Sequence, residues 1–298
     1  MTLNLTAVTK NLIVQVSDRM FTDMATGITV NDQANKALVF SCENALLTIT
    51  FAGIGRVNDK RIDHWLTETI QEEGLCELEV QIAVEVLAKK ATELFRTFPD
   101  HLEKRHVFVI AGWEQKNDTI LKPYVRTISN VSTNGSVEKE FKVESLDSSR
   151  PQVIIIPPTQ PFDRNDRRIL QASLRKANTV DEIEKALVKA IRIVASKPNS
   201  YGVGKNCMAI SLATTKQARA VSYSLNQEKT FFGPFFLWYE GGRNIGVGDI
   251  EVISDPGQFL FGSSKTDFKS YKIFTKPSST QTAWSLVRVL PSRNPIVD

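Results

Sequence analysis

The residue whose chemistry would matter most stands second in the chain. If Met1 is removed, Thr2 carries a hydroxyl nucleophile and an α-amine base on one carbon frame, so a single residue supplies both halves of an amide-cleaving pair. The amine's reference pKa of about 7.7 to 8.0 lies close to neutral pH, where a base works best. A second reading stays open, in which Thr2 is a polar residue fraying at a chain end. Three stretches downstream could serve such a nucleophile: residues 12–19 (LIVQVSDR), the isolated Lys36, and the apolar run 46–55 (LLTITFAGIG).

Other chemistries find weaker support. Cys42, Cys76 and Cys207 are odd in number and widely spaced, with no C-x-x-C pair and no nearby His, so they read as buried free thiols rather than a disulfide framework or zinc ligands. His64, His101 and His106 lack metal-ligand spacing, and His64 beside Trp65 reads as a partly packed helical side chain. No metal or cofactor is expected. The glycines of residues 241–248 (GGRNIGVG) do not open a strand-turn-helix unit with an acidic partner, which argues against a phosphate loop. Arg164, Arg167, Arg168, Arg175 and Lys176 fall at helical spacing with Asp163 and Asp166 interleaved, the pattern of a solvated face, and no aromatic stacking platform accompanies them. With 37 basic and 33 acidic residues spread along 298 positions, the formal net charge of +4 does not imply a nucleic-acid partner. No apolar run approaches the roughly 18 residues of a membrane span and no signal-like segment is present, so a cytoplasmic protein with no membrane partner is expected.

The elements that must position Thr2 follow from periodicity. Residues 4–8 and 12–16 read as a hairpin closed at 9–11, and 36–40 with 46–51 as a second strand pair ended by Gly53 and Gly55. Residues 59–71 and 79–98 switch to helical period, the latter aligning Val80, Ala83, Val84, Leu87, Ala91, Leu94 and Phe95 on one face before Pro99 stops it. Strands return at 106–112, 119–128, 138–143 and 152–156, read together as a meander. Helices follow at 164–176 and 180–196, the second opened by a capping box of Thr179 and Glu182, and a last strand at 207–212. Each helix pair needs a sheet face on which to bury its apolar stripe, which makes the fold class α+β with two stacked sheets between helix layers.

This order, with the LIVQVSDR strand, a lysine opening a later strand, a glycine after an apolar strand and the AGW sequence of residues 111–113, resembles the proteasome β-subunit-like N-terminal-nucleophile (Ntn) hydrolases over roughly residues 2–214. The resemblance implies a four-layer α/β/β/α sandwich for a domain of residues 1–214, and a threonine-type peptidase or amidohydrolase. It assigns Thr2 as nucleophile, Lys36 as the adjacent positive charge, Asp18 as the carboxylate holding that lysine, the Gly53 N–H as oxyanion donor and Arg19 as a supporting residue. Each has a structural alternative: Asp18 as the cap of its own turn, Lys36 as a solvated strand end, Gly53 as ordinary turn chemistry and Arg19 as a surface ion pair.

The chain also departs from the family. Active members carry a Gly/Ser-rich turn before the third helix and an Asp with a nearby Ser before the last strand. Here residues 157–163 read PPTQPFD and 199–202 read NSYG, leaving Asp163 and Ser200 as the only local substitutes. Residues 215–298 lie outside the resemblance. They hold 13 of the chain's 25 aromatics, which predicts an ordered β-rich C-terminal extension rather than a loose tail. Two functions follow: a threonine-nucleophile hydrolase of peptides or amides, or a catalytically inactive, self-assembling proteasome-like subunit. Both imply a homo-oligomer, and the residues name no partner ATPase.

Overall fold

The computed structural model describes residues 2–22, 29–31, 34, 36–57, 60–100, 104–117, 120–132, 134–148, 150–156, 162–198, 202–214 and 218–223, together with five strands between residues 231 and 288. The chain opens with β1 (Asn4–Val8) and β2 (Leu12–Asp18), then a ribbon of β3 (Phe21–Thr22) and β4 (Thr29–Asn31). β5 (Ala37–Cys42) and β6 (Ala45–Gly53) follow, then a ribbon of β7 (Arg56–Val57) and β8 (Lys60–Arg61) leading into α1 (Ile62–Glu72) and α2 (Val80–Arg96). Next come β9 (His106–Asn117), β10 (Ile120–Val131), β11 (Val137–Ser145), β12 (Gln152–Ile156), α3 (Arg164–Lys176), α4 (Val180–Ala195), β13 (Cys207–Ala213) and β14 (Ala218–Tyr223). The later strands are β15 (Phe231–Phe232), β16 (Phe235–Glu240), β17 (Arg243–Gly248), β18 (Glu251–Val252) and β19 (Ser285–Arg288).

The longer strands make two mostly antiparallel sheets, ordered β14-β13-β2-β1-β12-β19 and β11-β10-β9-β6-β5-β16-β17. Period-two alternation divides their side chains. On β6, Leu47, Ile49 and Phe51 join an apolar cluster with Leu66, Ile70, Val84, Leu87 and Phe95 of α1 and α2. On β2, Val14 and Val16 pack with Leu170, Leu174, Ile183 and Leu187 of α3 and α4. A third cluster draws Ile13 and Ile210 from the first sheet and Val39, Val109 and Val125 from the second. Both helix pairs thus bury apolar residues, α2 along the stripe its spacing predicted, and the Thr179/Glu182 capping box is formed, with the Glu182 N–H donating to Thr179 Oγ1.

Two expectations are corrected. The predicted meander ends at β11, because β12 crosses to the six-stranded sheet and pairs with β1, Leu5 facing Ile155. Val153 and Ile155 join the α3/α4 cluster while Ile154 joins the other, so this strand is apolar on both faces and needs a position between two packed layers. The helix expected from residue 59 starts at Ile62, since 60–61 are the second strand of a ribbon. Beyond residue 214, β14 continues the first sheet beside β13, β19 lies parallel to β12, and β16 lies parallel to β5. The turn expected at residues 255–257 lies outside the described residues, as do His101, Gly241 and Gly242.

Candidate active site

Three elements deliver the side chains. Asp18 is the last residue of β2, flanked by the residues before β1 on one side and by Cys207 of β13 on the other. The hairpin register sets Asn4 against Ser17, so the chain just ahead of β1 runs past Asp18: the Leu3 N–H donates to Asp18 Oδ2 at 2.9 Å. Thr2 therefore sits at the mouth of the six-stranded sheet. Lys36 precedes β5 of the other sheet, anchored by its own N–H donating to Met208 Sδ at 3.3 Å. The cluster is assembled across the two sheets.

Lys36 Nζ donates to Thr2 Oγ1 at 2.8 Å, to Asp18 Oδ1 at 3.0 Å and to the Met20 carbonyl. Three acceptors match the three donors of an ammonium. Thr2 is 4%, Lys36 1% and Asp18 0% exposed, so the cluster is shut away from bulk water. Burial pulls Lys36 below the ordinary lysine range, and the Asp18 carboxylate holds it part of the way back. The Phe21 ring, its centroid 5.4 Å from Nζ, adds a weaker attraction for the cation. Asp18 also accepts from the Met20 N–H at 3.0 Å and the Gly204 N–H at 3.2 Å. It is thus both the cap of its own turn and the partner of Lys36, two roles that seemed alternatives from sequence.

Arg19 is wholly buried, which excludes a surface ion pair. Its backbone bridges the site's flanks, the N–H donating to the Asn206 carbonyl and the carbonyl accepting from the Ala34 N–H, while Nε donates to the Ala34 carbonyl at 3.1 Å. The solvated alternative for Lys36 likewise falls. Gly53 ends β6 at φ +121, and a Cβ there would lie 2.3 Å from the Arg105 carbonyl oxygen and 2.9 Å from His106 Nδ1. Steric demand alone therefore requires glycine at this position.

Asp163 does not approach the cluster. It caps α3, accepting from the Asp166 N–H at 2.9 Å, and takes an ion pair from Lys197 at 2.6 Å. Asn199 and Ser200 lie outside the described residues. Sequence reasoning missed Leu3, Met20, Phe21 and Gly204, which act through backbone groups and, for Phe21, the face of its ring. The Gly-x-Gly of residues 202–204 was the one available signal, and a Cβ on Gly204 would meet Met20 Cβ at 2.8 Å. All three cysteines are buried and free, and Cys207, beside Asp18, is pushed far above the usual thiol range by burial. His64 is exposed on α1, and Trp65 packs against the core. Among the described residues no helix is long and apolar enough to cross a membrane.

No family model and no curated protein matches the chain. Solved structures do. The Anbu (Gly-1) mutant from Hyphomicrobium sp. strain MC1 superposes with a TM-score of 0.54 at 13% identity, over 76% of this chain and 89% of that one. Anbu from Yersinia bercovieri, described as an ancestral β-subunit, gives 0.50 at 12% identity, over 74% and 88%. At such identities the likeness speaks for the fold alone, and the fold is proteasome-like.

Proposed function

We propose that this protein is a proteasome-like Ntn hydrolase that cleaves peptides or amides through Thr2 after loss of Met1. Its layers are read as an α/β/β/α sandwich over residues 2–214, extended by 215–298. The observation that carries the reading is the 2.8 Å hydrogen bond from a buried, carboxylate-paired Lys36 to the Thr2 hydroxyl. An ammonium donating to Oγ1 leaves the hydroxyl proton free to pass to the residue's own α-amine, and stabilises negative charge as it grows on that oxygen.

In this reading Oγ1 adds to the substrate carbonyl carbon while its proton moves to the α-amine. The oxyanion is met by the Gly53 N–H. Collapse breaks the C–N bond, the α-ammonium protonates the departing amine, and an ester remains on Thr2. Water, deprotonated by the same amine, releases the acid and restores the hydroxyl. Asp18 keeps Lys36 charged and in place, Arg19 holds the flanking segments, and the active form is a homo-oligomer.

An inactive, assembling subunit is the second reading. It is favoured by the near-complete burial of Thr2 and by the commitment of Asp163 to helix capping. Intact-mass measurement and a threonine-directed electrophile separate the two. A hydrolase starts at Thr2, forms the adduct and cleaves members of a peptide and amide panel, and Lys36→Ala abolishes both. A protein that retains Met1, or that starts at Thr2 yet forms no adduct and cleaves nothing, is the inactive subunit.

A further inference from the structure

The two helix pairs carry opposite charge. Residues 62–98, spanning α1 and α2, hold eight acidic and three basic residues, whereas residues 163–198, spanning α3 and α4, hold nine basic and five acidic. Each face also carries an apolar feature. On α2, Ile82 is 51% exposed, the largest exposure of a big apolar side chain among the described residues. Val86, one turn further along α2, and Leu78, just before the helix begins, are half-buried, and Glu79 and Glu85 beside them are exposed. On α4, an open groove of about 640 Å³ is lined by Val188 and Ile193 with Tyr223 of β14, and rimmed by Lys185, Lys189 and Arg192. Lys189 is exposed and has no ion-pair partner among the described residues. Lys185 pairs with Asp181, and Arg192 donates to the Lys205 and Tyr223 carbonyls, so both are held at the rim.

We propose that the occupant of the α4 groove is a second copy of this chain, its Ile82 ridge seated between Val188, Ile193 and Tyr223 and its Glu79 and Glu85 facing the Lys185 and Lys189 rim. An isolated apolar ridge between carboxylates matches an apolar groove between cations in both shape and sign, and the complementarity steers encounter as well as register. Because ridge and groove are different surfaces, the contact is head-to-tail: every bound copy leaves one ridge and one groove open for the next. The inference stands on the outer helix surfaces and is independent of any chemistry at Thr2.

Two variants test it. Ile82→Arg spoils the ridge and keeps the groove, while Lys189→Glu spoils the groove and keeps the ridge. Sedimentation velocity across a concentration series should show wild-type association beyond the dimer, weakened about tenfold or more in each variant. Both substitutions are on exposed positions, so circular dichroism should be unchanged. Mixing the variants should restore a 1:1 dimer that grows no further, since only one good ridge and one good groove remain. Association in which neither substitution has an effect would overturn the surface while leaving a homo-oligomer standing. A wild-type chain that stays monomeric up to high micromolar concentration would overturn both. Two variants that each self-associate less but do not rescue one another would overturn the head-to-tail geometry and point to a symmetric contact instead.

Discussion

Lys36 and His106 are two cations-in-waiting buried in one core, and they have been treated in opposite ways. Neither is more than 1% exposed, and burial pulls both below their ordinary pKa. Lys36 is met by a carboxylate, a hydroxyl and a carbonyl. His106 is met by rings: Phe108 at 4.5 Å, Phe95 at 5.0 Å and Phe51 at 5.6 Å between centroids. Neither ring nitrogen has a hydrogen-bond partner among the described residues. With desolvation unopposed, His106 falls to about 3 and is a neutral core ring. The difference teaches that burial by itself does not mark a functional group. A site is marked by partners arranged to keep a charge that burial would otherwise remove.

The sharpest way to break this comparison is to take away the carboxylate. Asp18→Ala leaves the ammonium of Lys36 buried with no anion beside it, and should lower stability by about 3–5 kcal/mol in urea unfolding at pH 7. A loss under about 1 kcal/mol would mean that Lys36 is neutral in the folded protein, and the contrast with His106 would vanish. A smaller effect is expected at the nucleophile. Thr2→Ala removes one of three acceptors from a buried ammonium and should cost about 1–3 kcal/mol, while Thr2→Ser keeps the acceptor and should restore most of it. The sequence left open a Thr2 that frays at a chain end, and equal stability of all three proteins would revive that view.

The smallest effect at neutral pH belongs to His106→Phe, which removes no hydrogen bond made by the ring and conserves its shape, for a change within about 1.5 kcal/mol. Its signature is in acid. The folded state holds His106 near 3 against an ordinary 6.5, so below pH 6.5 the unfolded chain takes up a proton that the folded chain refuses. This contribution is whole above pH 6.5 and is lost as pH falls toward about 3, at up to about 1.4 kcal/mol per unit. The Phe variant should show a correspondingly flatter decline of urea midpoint with falling pH. Parallel profiles for variant and wild type would show that His106 takes up its proton as readily in the fold as in the unfolded chain.

Much of this was legible from local pattern. The hairpin of residues 4–8 and 12–16, the α3 limits, the capping box and the stripe on α2 all follow from period, turn residues and caps, because each is decided within a few neighbouring residues. The ribbon at 60–61 was not legible, two-residue strands being too short to carry a period. The backbone partners of Asp18 escaped for a different reason: Leu3, Met20 and Gly204 contribute N–H groups, which every residue but proline owns and no side-chain reading can single out.

The sequence by itself determined that blocks of strands are separated by pairs of helices, and that a hydroxyl, a carboxylate and a lone lysine lie near its front. Periodicity reports that a face is buried, since that depends only on spacing along the chain. What the face is buried against is a matter of long-range register. Only the tertiary structure decided that β12 leaves its neighbours for the other sheet, and that Lys36 from one sheet reaches Thr2 and Asp18 of the other, 34 and 18 residues away in sequence. Stacking two sheets around Ile13, Val39, Val109 and Ile210 closes that distance, and the same closure expels the water that would have left Lys36 an ordinary surface cation.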